Sequence, residues 1–273
     1  MPLTRSTCSA TLEETMTGPV EPPQLTQELQ YVLPYHFLPQ RYGSVFRQTL
    51  TMSWGYEYLS YIEFITRLVG REAFASLIDV GCGDGRLLHE LRQAQCEPRL
   101  VGIDFSQRAI DFARLLTSGV EFVCGDVTAE PDLRNAFDVV TAIEVLEHVP
   151  PGDCENFVRG LCEVLKPGGR LILSVPSVNI PLKEKHYRHF DEELLLRTLA
   201  PCFRITNTHF LNCQSWWTRW ILEPVLCNRL FILNHPRLLG ALYRFYCRRL
   251  LPAHRTNCRR ILVECVKRTE VTP

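Results

Sequence analysis

From residue 76 to residue 210, short apolar runs alternate with stretches of helical period, and no other feature restricts the fold of this chain as tightly. Residues 76–80, 100–103, 120–124, 137–143, 170–175 and 203–210 read as strands, and residues 86–94, 107–116, 154–165 and 192–199 as helices. Strands that are apolar along their whole length need cover on both faces, and strands joined through helices run parallel. The expectation is an α/β protein with helices on both faces of a mostly parallel sheet. Ser106 suits the N-cap of the helix over 107–116, because its hydroxyl can take an otherwise orphaned backbone N–H.

The flanks obey other rules. Residues 1–24 carry the breakers Gly18-Pro19 and Pro22-Pro23 and read as a flexible tail. Residues 25–273 read as one domain: N-terminal helices over 25–70, a core over 71–213, a helical insertion over 214–250 and a last strand within 251–273. The insertion mixes Trp216, Trp217 and Trp220 with many Leu and Arg, and Pro224, Pro236 and Pro252 divide it into two expected amphipathic helices. No apolar run approaches the roughly 18 residues that span a bilayer. No basic-then-apolar leader is visible at the N-terminus, so a cytoplasmic protein is expected. Twelve Cys residues include no C-x-x-C pair, which points to reduced structural thiols, with Cys124 and Cys265 read as buried.

Thirty Lys/Arg balance thirty Asp/Glu, which argues against a general nucleic-acid binder. The balance is uneven, because residues 201–273 hold 12 Lys/Arg against 3 Asp/Glu and residues 1–200 hold 18 against 27.

The sharpest motif is Asp79-Val80-Gly81-Cys82-Gly83-Asp84-Gly85, between a strand and a helix. Glycines there allow a tight turn and a close approach of backbone to ligand. A dinucleotide fingerprint would place its third glycine at position 86, which is Arg, and no Gly-Lys-Ser/Thr follows to make a P-loop. Asp104 ends the next strand, 21 residues after Gly83, where a carboxylate can accept from a ribose diol. Asp126 ends the third strand, where it can accept from an exocyclic amine.

Five segments in order, LIDVGCGDGRLL, VGIDFS, FVCGDV, FDVVTAIEVLEHV and LKPGGRLILSVPS, resemble the class I S-adenosylmethionine (SAM)-dependent methyltransferases over about residues 77–177. The resemblance implies a Rossmann-like sheet of seven strands with the last antiparallel, and SAM as cofactor over the glycine loop. It implies ribose on Asp104, adenine near Phe105, Asp126 and Val127, and the methionine end near Asp79 and Gly81, with Gly83 and Gly85 completing the loop. The helices over 25–70 would then form a lid over SAM.

A sulfonium methyl is already electrophilic, so the chain mainly has to align an acceptor and, where needed, take its proton. Glu144, Glu147 and His148 follow the fourth strand and, on a helix, would share one face at i, i+3 and i+4. Glu144, His148 and His189 are the candidate catalytic residues; Asp191 or a neighbour is the expected cap of the helix after His189. The expected reaction is methylation of an oxygen or nitrogen on a small or lipophilic metabolite, with no metal. One alternative is a metal-assisted RNA 2′-O-methyltransferase, because Glu144, Glu147, His148 and His189 resemble the ligand set of such enzymes. Another is a SAM-binding scaffold without catalysis. For residues 214–250 the readings are an extra core layer, an interfacial pair on an anionic membrane, or an RNA surface. Arg244, Arg248, Arg249, Arg255, Arg259 and Arg260 are the cations in question, since the chain holds only four Lys.

Overall fold

The computed structural model describes residues 40–42, 45–47 and 53–268, apart from 95–97, 217–219, 221, 227–232 and 234. The expected tail over 1–24 lies outside the described residues. A short hairpin, β1 (Gln40–Tyr42) and β2 (Val45–Arg47), precedes helix α1 (Ser53–Val69). Then come β3 (Ser76–Val80), α2 (Arg86–Ala94), β4 (Arg99–Asp104), α3 (Gln107–Leu116), β5 (Glu121–Cys124) and β6 (Phe137–Ile143). After β6 follow α4 (Cys154–Val164), β7 (Leu165–Pro176), α5 (Glu192–Leu199), β8 (Phe203–Cys213), α6 (Glu223–Leu226), α7 (Pro236–Arg249) and β9 (Cys258–Lys267). The seven-stranded sheet has the order β5-β4-β3-β6-β7-β9-β8, parallel from β5 to β7, with β9 antiparallel to both neighbours.

Alternation along each strand splits the core into two layers. Ile78, Val80, Val140, Ala142, Leu171 and Leu173 face α4 and α5, where Val158, Leu161 and Leu195 meet them. Leu77, Leu100, Val139 and Ile172 face α1, α2 and α3, where Ile65, Leu88 and Ile110 meet them. Each buried side chain of this size contributes about 1.5–3 kcal/mol, so the two layers outweigh any single polar contact. Ser106 caps α3 by accepting from the Ala109 N–H at 3.1 Å, as its sequence position predicts. Asp191 caps α5 through the Leu194 N–H at 2.7 Å.

Several expectations need correction. Of residues 25–70, the described part is a hairpin and one helix, and that helix is a core layer under the sheet rather than a lid: Tyr61, Ile62, Ile65 and Leu68 are buried. Cys124 is exposed, since β5 is the edge strand, whereas Cys265 is buried. Residues 166–169, whose Pro167-Gly168-Gly169 breaks the apolar pattern, form a bulge within β7: Leu165 pairs with Phe137, and pairing resumes at Arg170 with Val139. Among the described residues of the insertion, only α7 forms a long helix. Its Leu239, Tyr243 and Tyr246 pack with Tyr56 and Leu59 of α1 and with Leu222 and Leu226, and the Tyr56 hydroxyl donates to the Leu239 carbonyl at 2.8 Å. One face of the insertion is therefore an extra core layer, while Arg244, Arg248 and Arg249 are exposed.

The strand order reverses between β3 and β6, the place where open α/β sheets bind ligands beyond their carboxyl ends. Gly81 leaves β3 there with φ +71°, and a Cβ on it would stand 2.4 Å from Cγ2 of Val145, just after β6. Gly81→Ala is expected to lower stability by about 2–5 kcal/mol in urea unfolding, from left-handed strain plus overpacking. Adding Val145→Ala should recover the packing part alone; no loss in Gly81→Ala would contradict the contact.

Candidate active site

The first half of the site is the loop after β3. Gly81 and Cys82 donate their backbone N–H groups to the Ile103 carbonyl at 2.8 and 3.1 Å, and Gly81, Gly83 and Gly85 all have positive φ. The turn folds back on the end of β4, where Asp104 is buried. Its carboxylate accepts from the Gly83 N–H and the Ser106 N–H, both at 2.9 Å, so loop and strand end fix each other. Phe105 beside it is 47% exposed, unusual for a ring at a strand end. Asp126, after β5, is exposed and accepts from the backbone and hydroxyl of Thr128 at 2.8 and 2.9 Å, while Val127 is buried.

Asp79 is a buried carboxylate that accepts a hydrogen bond from the Thr141 hydroxyl at 2.6 Å. Burial and the Asp104 charge push its pKa up to about 7 against that bond. A carboxylate held beside a hydroxyl and a second carboxylate is short of a cation.

The second half follows β6 and β7. Glu144, Glu147 and His148 do not share a helical face. Glu144 takes φ +58°, and only residues 146–148 form a 3₁₀ turn, so the expected i, i+3, i+4 relation fails. Glu144 turns to Arg260, whose Nε lies 3.3 Å from its Oε2, and to the Ser174 hydroxyl at 3.4 Å. Arg260 also pairs closely with Glu57 of α1, donates to Asn212 Oδ1 at 3.0 Å and lies over the Tyr61 ring at 5.0 Å. Burial lowers its pKa, and the Glu57 and Glu144 carboxylates more than reverse that.

Glu147 and His148 turn instead toward the loop after β7. His148 Nδ1 lies 2.8 Å from the Lys185 carbonyl, and its ring meets the His186 ring edge-on with centroids 4.8 Å apart. His186 Nδ1 lies 2.8 Å from His189 Nε2, and His189 Nδ1 lies 3.1 Å from the Ile180 carbonyl. Burial and the nearby Lys185 charge depress His148 to about 4; burial, with His148 and Lys185 beside it, depresses His186 to about 2. Burial, then the Glu144 charge, raises Glu147 well above the carboxylate range. Among the described residues, one group has metal-ligand spacing: Glu147, His148 and His186. Glu144 and His189, expected in such a set, are committed to Arg260 and to His186.

Sequence reasoning gave the site neither Tyr61 nor Glu57, and placed His186 only among the polar residues of the loop after the fifth strand. The H-x-x-H spacing of His186 and His189 was a usable signal; nothing local could pair Arg260 with Glu57, 203 residues away. Arg255, Arg259 and Arg260, read as facing an external anion, face Glu192, Glu57 and Glu144 of the chain itself.

A family model described as a methyltransferase domain matches residues 53–219. A ubiquinone biosynthesis O-methyltransferase of Bordetella avium is 35% identical over 156 residues, 55% of this chain and 62% of that protein. One from Stutzerimonas stutzeri is 39% identical over 108 residues, 38% of this chain and 45% of that one. The chain thus spans about half the length of the curated relatives it matches. Among solved structures, the N-methyltransferase NodS of Bradyrhizobium japonicum, in complex with S-adenosyl-L-homocysteine, covers 80% of this chain and 88% of its own, at TM-score 0.53 and 15% identity. The [4+2]-cyclase SpnF covers 92% and 98%, at TM-score 0.58 and 19% identity. These two likenesses establish the fold.

The raised pKa of Asp79 carries a stability consequence. Between the ordinary Asp value of 3.8 and about 7 the native carboxyl keeps a proton that the unfolded chain releases, so Asp79 destabilises the ligand-free protein increasingly as pH rises through that window. Asp79→Asn, which still accepts from Thr141, is expected to gain up to about 4 kcal/mol at pH 8 and almost nothing near pH 4. Urea unfolding at both pH values checks this; an equal gain at both would remove the assigned cause.

Proposed function

The chain belongs to the class I SAM-dependent methyltransferases, and from that premise we propose that it transfers a methyl group from SAM to an oxygen of a small lipophilic metabolite. The observation that carries the cofactor half is the cation-poor, buried Asp79 beside the glycine loop and the oriented Asp104. A ligand bearing an ammonium and a ribose diol meets both needs. Asp79 takes the ammonium, Asp104 the diol, the exposed Phe105 face and Val127 the adenine, and Asp126 its amine, while Gly81, Gly83 and Gly85 bring backbone close. Bound there, SAM supplies an electrophilic sulfonium methyl.

The oxygen acceptor is supported by the ubiquinone O-methyltransferases among the relatives. Glu144 and His148 receive its hydroxyl. His148 is neutral at pH 7, so it can take a proton rather than repel one. His189 has both ring nitrogens engaged, by Ile180 and His186, so it acts as a positioning residue.

Calorimetry is expected to show SAM binding that weakens about 10–100-fold in Asp104→Ala, the scale of a lost charged hydrogen bond. Tritiated-methyl labelling of fractionated cell extract is expected to place label in solvent-extractable small molecules. Label in RNA or protein, or no SAM binding, would overturn the reading.

A peripheral membrane contact through 214–250 has one supporting observation. Trp216, Trp220, Leu238 and Phe245 are exposed, as are Arg237, Arg244, Arg248 and Arg249. Among the described residues no helix is long and apolar enough to cross a membrane, so the contact would be interfacial. Flotation with anionic vesicles is expected, and loss of it in Leu238→Asp/Phe245→Asp; no flotation of the unmodified chain would remove the idea.

A further inference from the structure

Methyl transfer does not explain why Glu147, His148 and His186 are buried together. Hydrogen-bond logic fixes which atoms carry protons there. A backbone carbonyl can only accept, so His148 Nδ1, bonded to the Lys185 carbonyl, carries the proton and Nε2 keeps a lone pair. Likewise His189 Nδ1 donates to the Ile180 carbonyl, and its Nε2 must accept. The donor across that 2.8 Å contact is therefore His186 Nδ1, which leaves a lone pair on His186 Nε2.

Glu147 completes the set. Both its carboxylate oxygens are buried and, among the described residues, have no hydrogen-bond partner, and the residue is 1% exposed. His148 Nε2 stands 3.8 Å from Glu147 Oε1, too far for a proton on either to be shared. One ligand atom from each of the three residues lies within 4.8 Å of the others. Lys185 and Arg260 act on Glu147 through space without donating to it. Lone pairs converging in a buried space repel one another and cost several kcal/mol unless something positive lies between them.

We propose that Glu147, His148 and His186 bind a divalent transition-metal ion, with the Lys185 carbonyl and His189 as the outer partners that hold the two rings. Ligands around one ion at about 2.0–2.2 Å stand about 3.5 Å apart, so the Glu147–His148 pair, at 3.8 Å, needs little movement and no pair, all being within 4.8 Å, needs to close by more than about 1.3 Å on loading. Two imidazoles and one carboxylate suit zinc, cobalt, manganese or iron better than magnesium or calcium, which prefer all-oxygen sets. Three protein ligands leave at least one coordination position open. In the proposed transfer that position would take the acceptor oxygen, and with His148 Nε2 on the ion Glu144 alone would be left to receive the proton, so the role of the ion rests on that reading, while its binding does not. The assignment differs from the sequence expectation: His186 replaces His189 as ligand, and Glu144 is excluded by Arg260.

Cobalt titration of the chelator-stripped full-length chain tests this. The expected result is a visible d–d absorption that saturates at one Co²⁺ per chain. Glu147→Gln and His186→Ala should each weaken binding by more than about 100-fold, beyond the about 10–100-fold expected of His189→Ala as an outer partner. Circular dichroism of the metal-free variants verifies folding, and Glu147→Gln, which keeps size and removes a buried charge, decides if His186→Ala does not fold. No saturable band in the unmodified chain, or an unchanged band in Glu147→Gln, would overturn the site. SAM binding measured on the same samples separates the two readings: metal lost with SAM retained removes only the metal, and SAM lost with metal retained removes only the transfer.

Discussion

Arg260 is a largely enclosed guanidinium, 15% exposed, held between Glu57 of α1 and Glu144 after β6, and the acceptor half of the carboxyl edge is organised around it. Arginine stays charged in a protein, so a buried one needs partners, and removing one partner of such a pair costs about 3–5 kcal/mol. The antiparallel direction of β9 makes the pairing available. Its first residues lie beside the last residues of β7, with Arg260 opposite Pro176. The basic C-terminal quarter thereby delivers its cations to the acidic edge built by the first 200 residues, and a charge asymmetry that looks like an advertisement for an external anion is partly satisfied inside.

The rest of that edge shows the opposite condition. Asp79 lies beside Asp104, and the Glu147 carboxylate lies beside two neutral imidazoles. Burial raises both carboxyl groups and, with the Lys185 charge, keeps the two rings neutral, and among the described residues no cation donates a hydrogen bond to Asp79 or Glu147. An edge with so much uncompensated electron density favours cationic ligands, and the ammonium and sulfonium of SAM and a divalent ion are all of that kind. The same groups destabilise the empty protein, a common trade between stability and function.

The fold alone would not have named a reaction, since a [4+2]-cyclase shares it with an N-methyltransferase at similar structural likeness. The reading rests on particular side chains: which carboxylates are buried, which ring nitrogens are already bonded and which rings are exposed.

Much of this was legible from residue order, because it is local. The period of apolar residues set the strands and helices, Ser106 and Asp191 announced the caps they provide, and the glycine spacing separated this loop from a dinucleotide turn. The left-handed turn at Glu144 was not legible, since a non-glycine residue there is held by its surroundings rather than by propensity. Neither was the partnership of His186 with His148, which arises where the loops after β6 and β7 meet. The sheet and its cofactor edge were thus decided by patterns within a few residues. The acceptor edge was decided only in three dimensions, because its charges are balanced or left unbalanced by residues that the chain keeps far apart.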